Sequence, residues 1–228
     1  MGIIEVKNLH KVYQDTKVPV KAVNGIDLSF EEGEFTAVVG PSGSGKTTFL
    51  NLIGGLDTPT KGEIRINGEN ISKLKSRKLI DFRLQNIGFV FQSYNLIPVL
   101  TAIENVAFIM ELQGKSKAER NKRAKELLNA VGIGDKINNR PGDLSGGQQQ
   151  RVSVARALAS EPRFILADEP TANLDSKSTN DLLDIMQKMN EESKITFIFS
   201  THDQRVMDKA RRIITIDDGK VTSDENRK

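Results

Sequence analysis

The sequence predicts an α/β fold: a core with a mainly parallel sheet, an antiparallel β layer at the amino end and an inserted α-helical subdomain. Three observations predict it. Short apolar runs of strand length alternate with stretches of helical spacing, which argues for a parallel sheet with helices on its faces. A glycine-rich loop, Gly40 to Thr47, follows one such apolar run directly. A long section from about residue 101 to 160 is rich in helix formers and charge and interrupts the strand pattern. The 228 residues, 37% of them hydrophobic, suffice for one domain with a subdomain and not for a second catalytic unit. Residues 1–92 and 161–228 are assigned to the β layer and core, and 93–160 to the helical subdomain.

Along the chain, Ile3 to Val6, Val20 to Val23 and Ile26 to Phe30 read as short strands of an antiparallel edge layer, with Glu31-Glu32-Gly33 as a turn. Phe35 to Val39 is the strand that feeds the glycine-rich loop. Thr48 to Ile53 continues as a helix, ended by Gly54-Gly55 and Asp57-Thr58-Pro59. Glu63 to Gly68 reads as strand and turn, and Ile87 to Phe91 as a buried strand ending at Gln92. In the helical section, Lys115 to Lys125 is the exposed start of a helix carrying Ala124, Leu127, Leu128 and Val131, and Arg151 to Leu158 is a further helix. The core resumes with apolar strands at Phe164 to Ala167 and Ile195 to Phe199. Between them, Leu182, Leu183, Ile185, Met186 and Met189 have helical spacing. Thr222 to Lys228 is polar and expected to fray. No internal repeat is visible, which argues against solenoids and propellers.

Composition narrows the function. The 33 basic and 30 acidic side chains nearly cancel, so no strong field for nucleic acid is implied. The absence of cysteine excludes disulfides, thiolate metal sites and cysteine nucleophiles. No run approaches the roughly 18 to 20 apolar residues that span a bilayer, and the first residues lack a basic region followed by an apolar stretch. The expectation is a soluble cytoplasmic chain.

The chemistry sits in a few short runs. Gly40-Pro41-Ser42-Gly43-Ser44-Gly45-Lys46-Thr47 fits the phosphate-binding pattern G-x-x-x-x-G-K-[ST]. Glycines there let consecutive backbone N–H groups curl around phosphate oxygens, and the following helix, entered at Thr48, presents its positive end to them. Lys46 adds charge at the β- and γ-phosphates, and the Thr47 hydroxyl suits Mg²⁺. Asp168-Glu169 ends an apolar strand, where two acids are costly unless they serve a site. Asp168 is assigned to the Mg²⁺ shell and Glu169 to the general base that polarises water. Alone the pair would be a weak signal, open to reading as acids simply capping a loop; the phosphate loop favours the functional reading. Ser145-Gly146-Gly147-Gln148 opens a helix and makes a second anion site, or an ordinary N-cap.

The two glycine-bearing runs together resemble the ATP-binding subunit of an ABC transporter, a P-loop NTPase with a RecA-like core. The resemblance covers nearly the whole chain and decides between those readings. It implies that Leu144-Ser145-Gly146-Gly147-Gln148 closes over the γ-phosphate held by a second copy, in a homodimer around two ATP. It further implies that Tyr13 stacks on adenine, that Gln92 senses Mg²⁺ and the membrane partner, that Asp175 lies at the dimer seam, and that His202 is the switch histidine. A histidine at a strand end or a tyrosine at position 13 would alone read as an ordinary loop or core residue.

Gly54 to Thr60, Phe91 to Leu96, Thr101 to Val106 and Ala167 to Asp175 are similar to the subfamily serving lipoprotein release, macrolide export and peptide export. This implies an ATPase that powers integral membrane permease subunits from the inner face of the cell membrane. The permease is expected to dock near Gln92 to Leu100, in the groove between core and helical subdomain, where Tyr94, Leu96, Ile97 and Val99 are either presented to it or buried. ABC-type ATPases acting on nucleic acid or ribosomes are disfavoured, because the chain has neither long heptad arms nor two ATPase units. A kinase sharing the loop gives no reason for the Ser145 run or for His202.

Overall fold

A computed structural model of the chain describes residues 2–14 and 18–227. The chain forms two compact units, Met1–Asp81 joined with Thr196–Lys228, and Phe82–Ile195.

The first unit begins with β1 (Ile4–Tyr13) and β2 (Val20–Phe30), followed by β3 (Phe35–Val39), α1 (Lys46–Ile53), β4 (Lys61–Ile66) and β5 (Glu69–Asn70). After the second unit it continues with β8 (Thr196–Ser200), α7 (Gln204–Lys209), β9 (Arg212–Asp217) and β10 (Lys220–Asn226). Strands β2-β1-β4-β5 form the expected antiparallel layer. The two runs read between residues 20 and 30 are one strand. Its pairing with β1 slips between Val6 and Leu9, and Gly25 within it has φ +79°. This bulge breaks the period-two alternation and splits one strand into two apparent ones.

Strand β3 pairs in parallel with β8, Phe35 opposite Phe197 and Val38 opposite Ser200, and on its other edge with β9. Parallel neighbours on both edges and complete burial of Phe35, Thr36, Ala37 and Val38 explain a run without alternation. The rings of Phe35, Phe197 and Phe199 pack with centroids 4.7 to 5.9 Å apart.

The carboxyl end is ordered by pairing, against the frayed tail expected of it. β10 runs antiparallel to β9 as far as Asn226 opposite Arg212. Arg212 explains why a polar tail adheres. Its Nε and Nη2 each donate to the Asp224 carboxylate at 2.7 Å, while Nη1 donates to Glu34 at 3.0 and 3.1 Å and to the Ser29 carbonyl at 2.8 Å. The guanidinium also lies 5.4 Å from the Phe30 ring centroid. Lys228 lies outside the described residues.

The second unit contains β6 (Ile87–Phe91), α3 (Ala102–Leu112), α4 (Lys117–Ala130), α5 (Gly146–Ala159), β7 (Phe164–Asp168) and α6 (Ser176–Ser193). α2 (Ser76–Asn86) carries the chain into it. The sequence reading assigned no element there, and α2 buries none of its residues, so no apolar stripe marks it. Helices α3, α4 and α5 each open with a reciprocal capping box: Thr101 with Glu104, Ser116 with Glu119, and Ser145 with Gln148. Ala124, Leu127, Leu128 and Val131 are buried, as their spacing requires. Helix α5 is the buried centre, with Val152, Val154, Ala155 and Leu158 inside.

The Asp224 carboxyl is held below its ordinary value, chiefly by the Arg212 hydrogen bonds. A group depressed on folding stabilises above its unfolded value and loses that contribution as pH falls through the folded one. Asp224→Asn should therefore cost about 1 to 2 kcal/mol at neutral pH. The difference from the native chain should close below about pH 4, measured by urea unfolding across that range.

Candidate nucleotide-binding site

In the first unit, the run from Gly40 to Thr47 turns from β3 into α1. Gly40, Gly43 and Gly45 have φ of +145°, +77° and +104°, values that side chains resist. Space forbids them as well at two of the three. A Cβ on Gly40 would lie 2.0 Å from the Ile216 carbonyl oxygen, and one on Gly45 2.1 Å from that of Ala22. Pro41, Ser42, Gly43 and Thr47 are exposed, while Ser44 and Lys46 are buried. The Lys46 ammonium donates to the carbonyls of Gly40 and Pro41 at 2.8 and 2.9 Å, folding back over its own loop. The Ser44 hydroxyl is buried without a hydrogen-bond partner. The loop thus offers a ring of backbone donors, an unsatisfied buried hydroxyl and an ammonium, a donor set that suits a polyphosphate.

Two further predicted residues lie in this unit. His202 is exposed, two residues beyond β8. The preceding N–H of Thr201 donates to the carbonyl of Val38 on β3 at 3.1 Å. Tyr13 ends β1, half-buried, with its hydroxyl donating to Asp57 at 2.8 Å. Burial first, and then this bond, push the Tyr13 phenol up; the Thr48 side chain also bonds to it and acts in the opposite sense.

The second unit gathers the other candidates. β6 and β7 are parallel neighbours with Phe91 opposite Asp168, so Gln92 follows one strand end and Glu169 the other. Glu169 has φ +45°, a left-handed backbone unusual for a side-chain-bearing residue. The Gln92 carbonyl accepts from the Asn173 amide at 3.0 Å. Ser145 is exposed at the start of α5, and its hydroxyl accepts from the Gln148 N–H at 3.3 Å. A Cβ on Gly146 would lie 2.8 Å from the Tyr94 hydroxyl, and one on Gly147 2.9 Å from the Ser178 hydroxyl. Asp175 caps α6 by accepting from the Ser178 N–H at 2.9 Å and hydroxyl at 2.7 Å, bonds that hold its carboxyl below the ordinary value.

These features make a phosphate cradle in one unit and, in the other, two acids at a strand end beside an exposed glycine-rich helix start. Comparison with known proteins agrees. The family model described as ABC transporter matches residues 23–172. The chain belongs to the ABC transporter family. An uncharacterized ABC transporter ATP-binding protein of Thermotoga maritima is 48% identical over 99% of this chain and 96% of its own length. The macrolide export ATP-binding/permease protein MacB of Hyphomonas neptunium is 46% identical over 99% of this chain, which spans only 35% of that protein. Among solved structures, the ATP-binding cassette MJ0796, in a dimeric post-hydrolysis state bound to ADP and Pi, superposes with a TM-score of 0.92 at 43% identity, covering 99% of both chains. This ABC subunit is accordingly an ATPase, binding ATP and hydrolysing it to ADP and phosphate. Among the described residues, no helix is long and apolar enough to cross a membrane.

The structure adds residues that sequence reasoning passed over. Gln150, fully buried on α5, donates to the carbonyl of Pro170 at 2.7 Å and more weakly to that of Phe91 at 3.4 Å. Arg156 donates to the carbonyls of Tyr94, at 2.8 Å, and Asn95. Both of these residues have left-handed backbone, φ +58° and +50°. Burial pushes the Arg156 guanidinium down, and the two carbonyls accept from one donor on each of its Nη atoms. The available signal was a polar or charged residue inside the apolar face of a helix. Arg156→Lys should cost about 1 to 2 kcal/mol and speed amide exchange at residues 93–97. Adding Asn95→Gly, which relieves the left-handed strain, should restore part of both; unchanged exchange there would separate the loop geometry from Arg156.

Proposed function

We propose that this ATPase works as a homodimer around two Mg-ATP and drives integral membrane permease subunits of an export or lipoprotein-release machine. The observation that carries the reading is the phosphate loop itself: glycines that admit no side chain, an orphaned Ser44 hydroxyl and Lys46 folded over the cradle. Gly40 to Thr48 hold the triphosphate and Tyr13 the base. The hydroxyl of Thr47, the amide of Gln92 and the carboxylate of Asp168 are hard oxygen donors of the kind Mg²⁺ takes. When bound, the ion neutralises charge on the β- and γ-phosphates. Glu169 takes a proton from the attacking water, and His202 and Gln92 orient the γ-phosphate and that water. Ser145, Gly146, Gly147 and Gln148 cap the γ-phosphate of the other protomer, with Asp175 at the seam. The dimeric state of the MJ0796 cassette supports this shared site.

In this reading the permease docks near Gln92 to Leu100 and holds the ATPase peripheral to the inner face of the membrane. Support comes from the ATP-binding/permease name of the MacB relatives, and from Val99, which is 72% exposed in a loop that buried Asn105 braces through Ile97 and Leu100. No nucleic acid is involved in this reading. Hydrolysis removes the phosphate bridging Lys46 of one protomer and Ser145 of the other, and the dimer opens.

Glu169→Gln should retain ATP binding, lose about 100-fold or more in turnover and shift to twice the monomer mass by light scattering with Mg-ATP but not with Mg-ADP. Hydrolysis at the native rate would remove Glu169 as the base. Ser145→Arg introduced into the same chain should leave ATP binding intact in calorimetry while abolishing the mass shift. Dimerisation that survives it would end the role of Ser145 across the interface.

A further inference from the structure

The run Asp57-Thr58-Pro59-Thr60 is stitched to β1 by bonds that the proposed chemistry does not use. Lys11 Nζ donates to Asp57 Oδ1 at 2.6 Å and to the Thr58 carbonyl at 2.9 Å. Thr60 accepts from the Val12 N–H through its hydroxyl at 3.0 Å, and its own N–H donates to the carbonyl of His10 at 2.8 Å. The other Asp57 oxygen accepts from the Tyr13 hydroxyl at 2.8 Å. Lys11 and Asp57 have side chains only 13% and 27% exposed, so the pair is partly shielded from water and stronger than a surface ion pair.

Asp57 is also anchored from behind. Its N–H and that of Leu56 both donate to the carbonyl of Asn51, at 3.2 and 2.8 Å, and Asn51 lies in α1, the helix whose first turn follows the phosphate loop. A continuous path of hydrogen bonds thus runs from the phosphate cradle, along α1, through Asp57 to the tip of Tyr13. Lys11 completes it, its ammonium 4.9 Å from the Tyr13 ring centroid. Although burial pushes the Asp57 carboxyl up, the bonds from Lys11 and Tyr13 outweigh it and keep it below its ordinary value, so the acceptor stays charged at neutral pH.

We infer that Asp57 is a positioning residue for nucleotide binding: it fixes the Tyr13 ring to the far end of α1 and so sets the separation between the base platform and the phosphate cradle. The inference rests on the reading of Tyr13 as that platform. A tyrosine at the end of a strand samples several rotamers, and tethering its hydroxyl leaves less ordering to be done when a base stacks on it. Asp57 touches neither base nor phosphate in this scheme. Its effect should therefore appear with ligands that carry a base and vanish with ligands that do not.

Calorimetric titration of the full chain with ATP and with inorganic tripolyphosphate separates the possibilities. Asp57→Ala, which removes the acceptor, and Tyr13→Phe should each weaken ATP about fivefold to tenfold, leave tripolyphosphate unchanged, and be no worse in combination than Tyr13→Phe alone, because that variant removes the hydroxyl that both Asp57 and Thr48 hold. Tyr13→Ala should weaken ATP further, again without effect on tripolyphosphate. If Tyr13→Ala weakens ATP selectively while Asp57→Ala and Tyr13→Phe do not, the platform stands and the positioning role of Asp57 is overturned. Equal loss for both ligands in Asp57→Ala also overturns it, as a merely structural residue of the loop would behave that way. ATP affinity unchanged in Tyr13→Ala removes the platform, and the inference with it.

Discussion

The phosphate loop has no room for a side chain at two of its turns, and most of the first unit is arranged to keep it that way. The carbonyl of Ile216 closes on Gly40 from the end of β9, and that of Ala22 closes on Gly45 from β2. Between them the β9–β10 turn, with Asp218 and Gly219 both left-handed, donates from the Gly219 N–H to the Ser44 carbonyl at 2.9 Å and accepts from the Asn24 N–H at 2.8 Å. A loop braced from outside, here at the Ser44 carbonyl, can present N–H groups inward without collapsing. The carboxyl-terminal hairpin therefore packs against the cradle, and the Arg212 cluster holds β10 of that hairpin to β9.

This explains what the sequence made legible. The phosphate loop, its feeding strand and the acids after β7 are written in contiguous residues, because the chemistry of each requires neighbours along the chain. The antiparallel layer and the helical section were legible from period and composition. The hairpin was not. A tail reading Lys220 to Asn226 has one apolar residue, and what orders it is a guanidinium some twelve positions away meeting Asp224. Helix α2 was silent for the related reason that it buries none of its residues. Lys11 and Asp57, 46 residues apart, or Arg156 and the carbonyls of Tyr94 and Asn95, obey no periodicity, since a side-chain bond to a group far along the chain leaves no pattern in either segment.

In the second unit a different economy holds, organised by α5. Its first residue after Ser145 packs against Tyr94 and the next against Ser178, which is bound to Asp175. One turn on, Gln150 reaches the carbonyls of Phe91 and Pro170, and two turns further Arg156 holds Tyr94 and Asn95. The segments after β6 and β7 and the start of α6 thus all hang from one helix. Gly146 and Gly147 leave no room for a Cβ beside these neighbours, and loss of the buried Gln150 bond to Pro170 would leave an unsatisfied group, so these contacts do not slacken gradually.

That rigidity bears on how a motor of this kind can work. The exposed end of α5 is the Ser145 helix start, and the Gln92 to Leu100 segment is the surface proposed for the permease. Arg156 is half-buried and holds both carbonyls at once, so releasing them would leave the carbonyls and two of its donors to find other partners. The two left-handed residues it holds cannot relax while it stays. In the proposed reading, a displacement of α5 that starts at Ser145 would therefore carry Tyr94 and Asn95 with it, rather than being absorbed in the loop between them. Movement of a packed helix with its attached loops is the form in which a small change at a ligand becomes a large one at a distance.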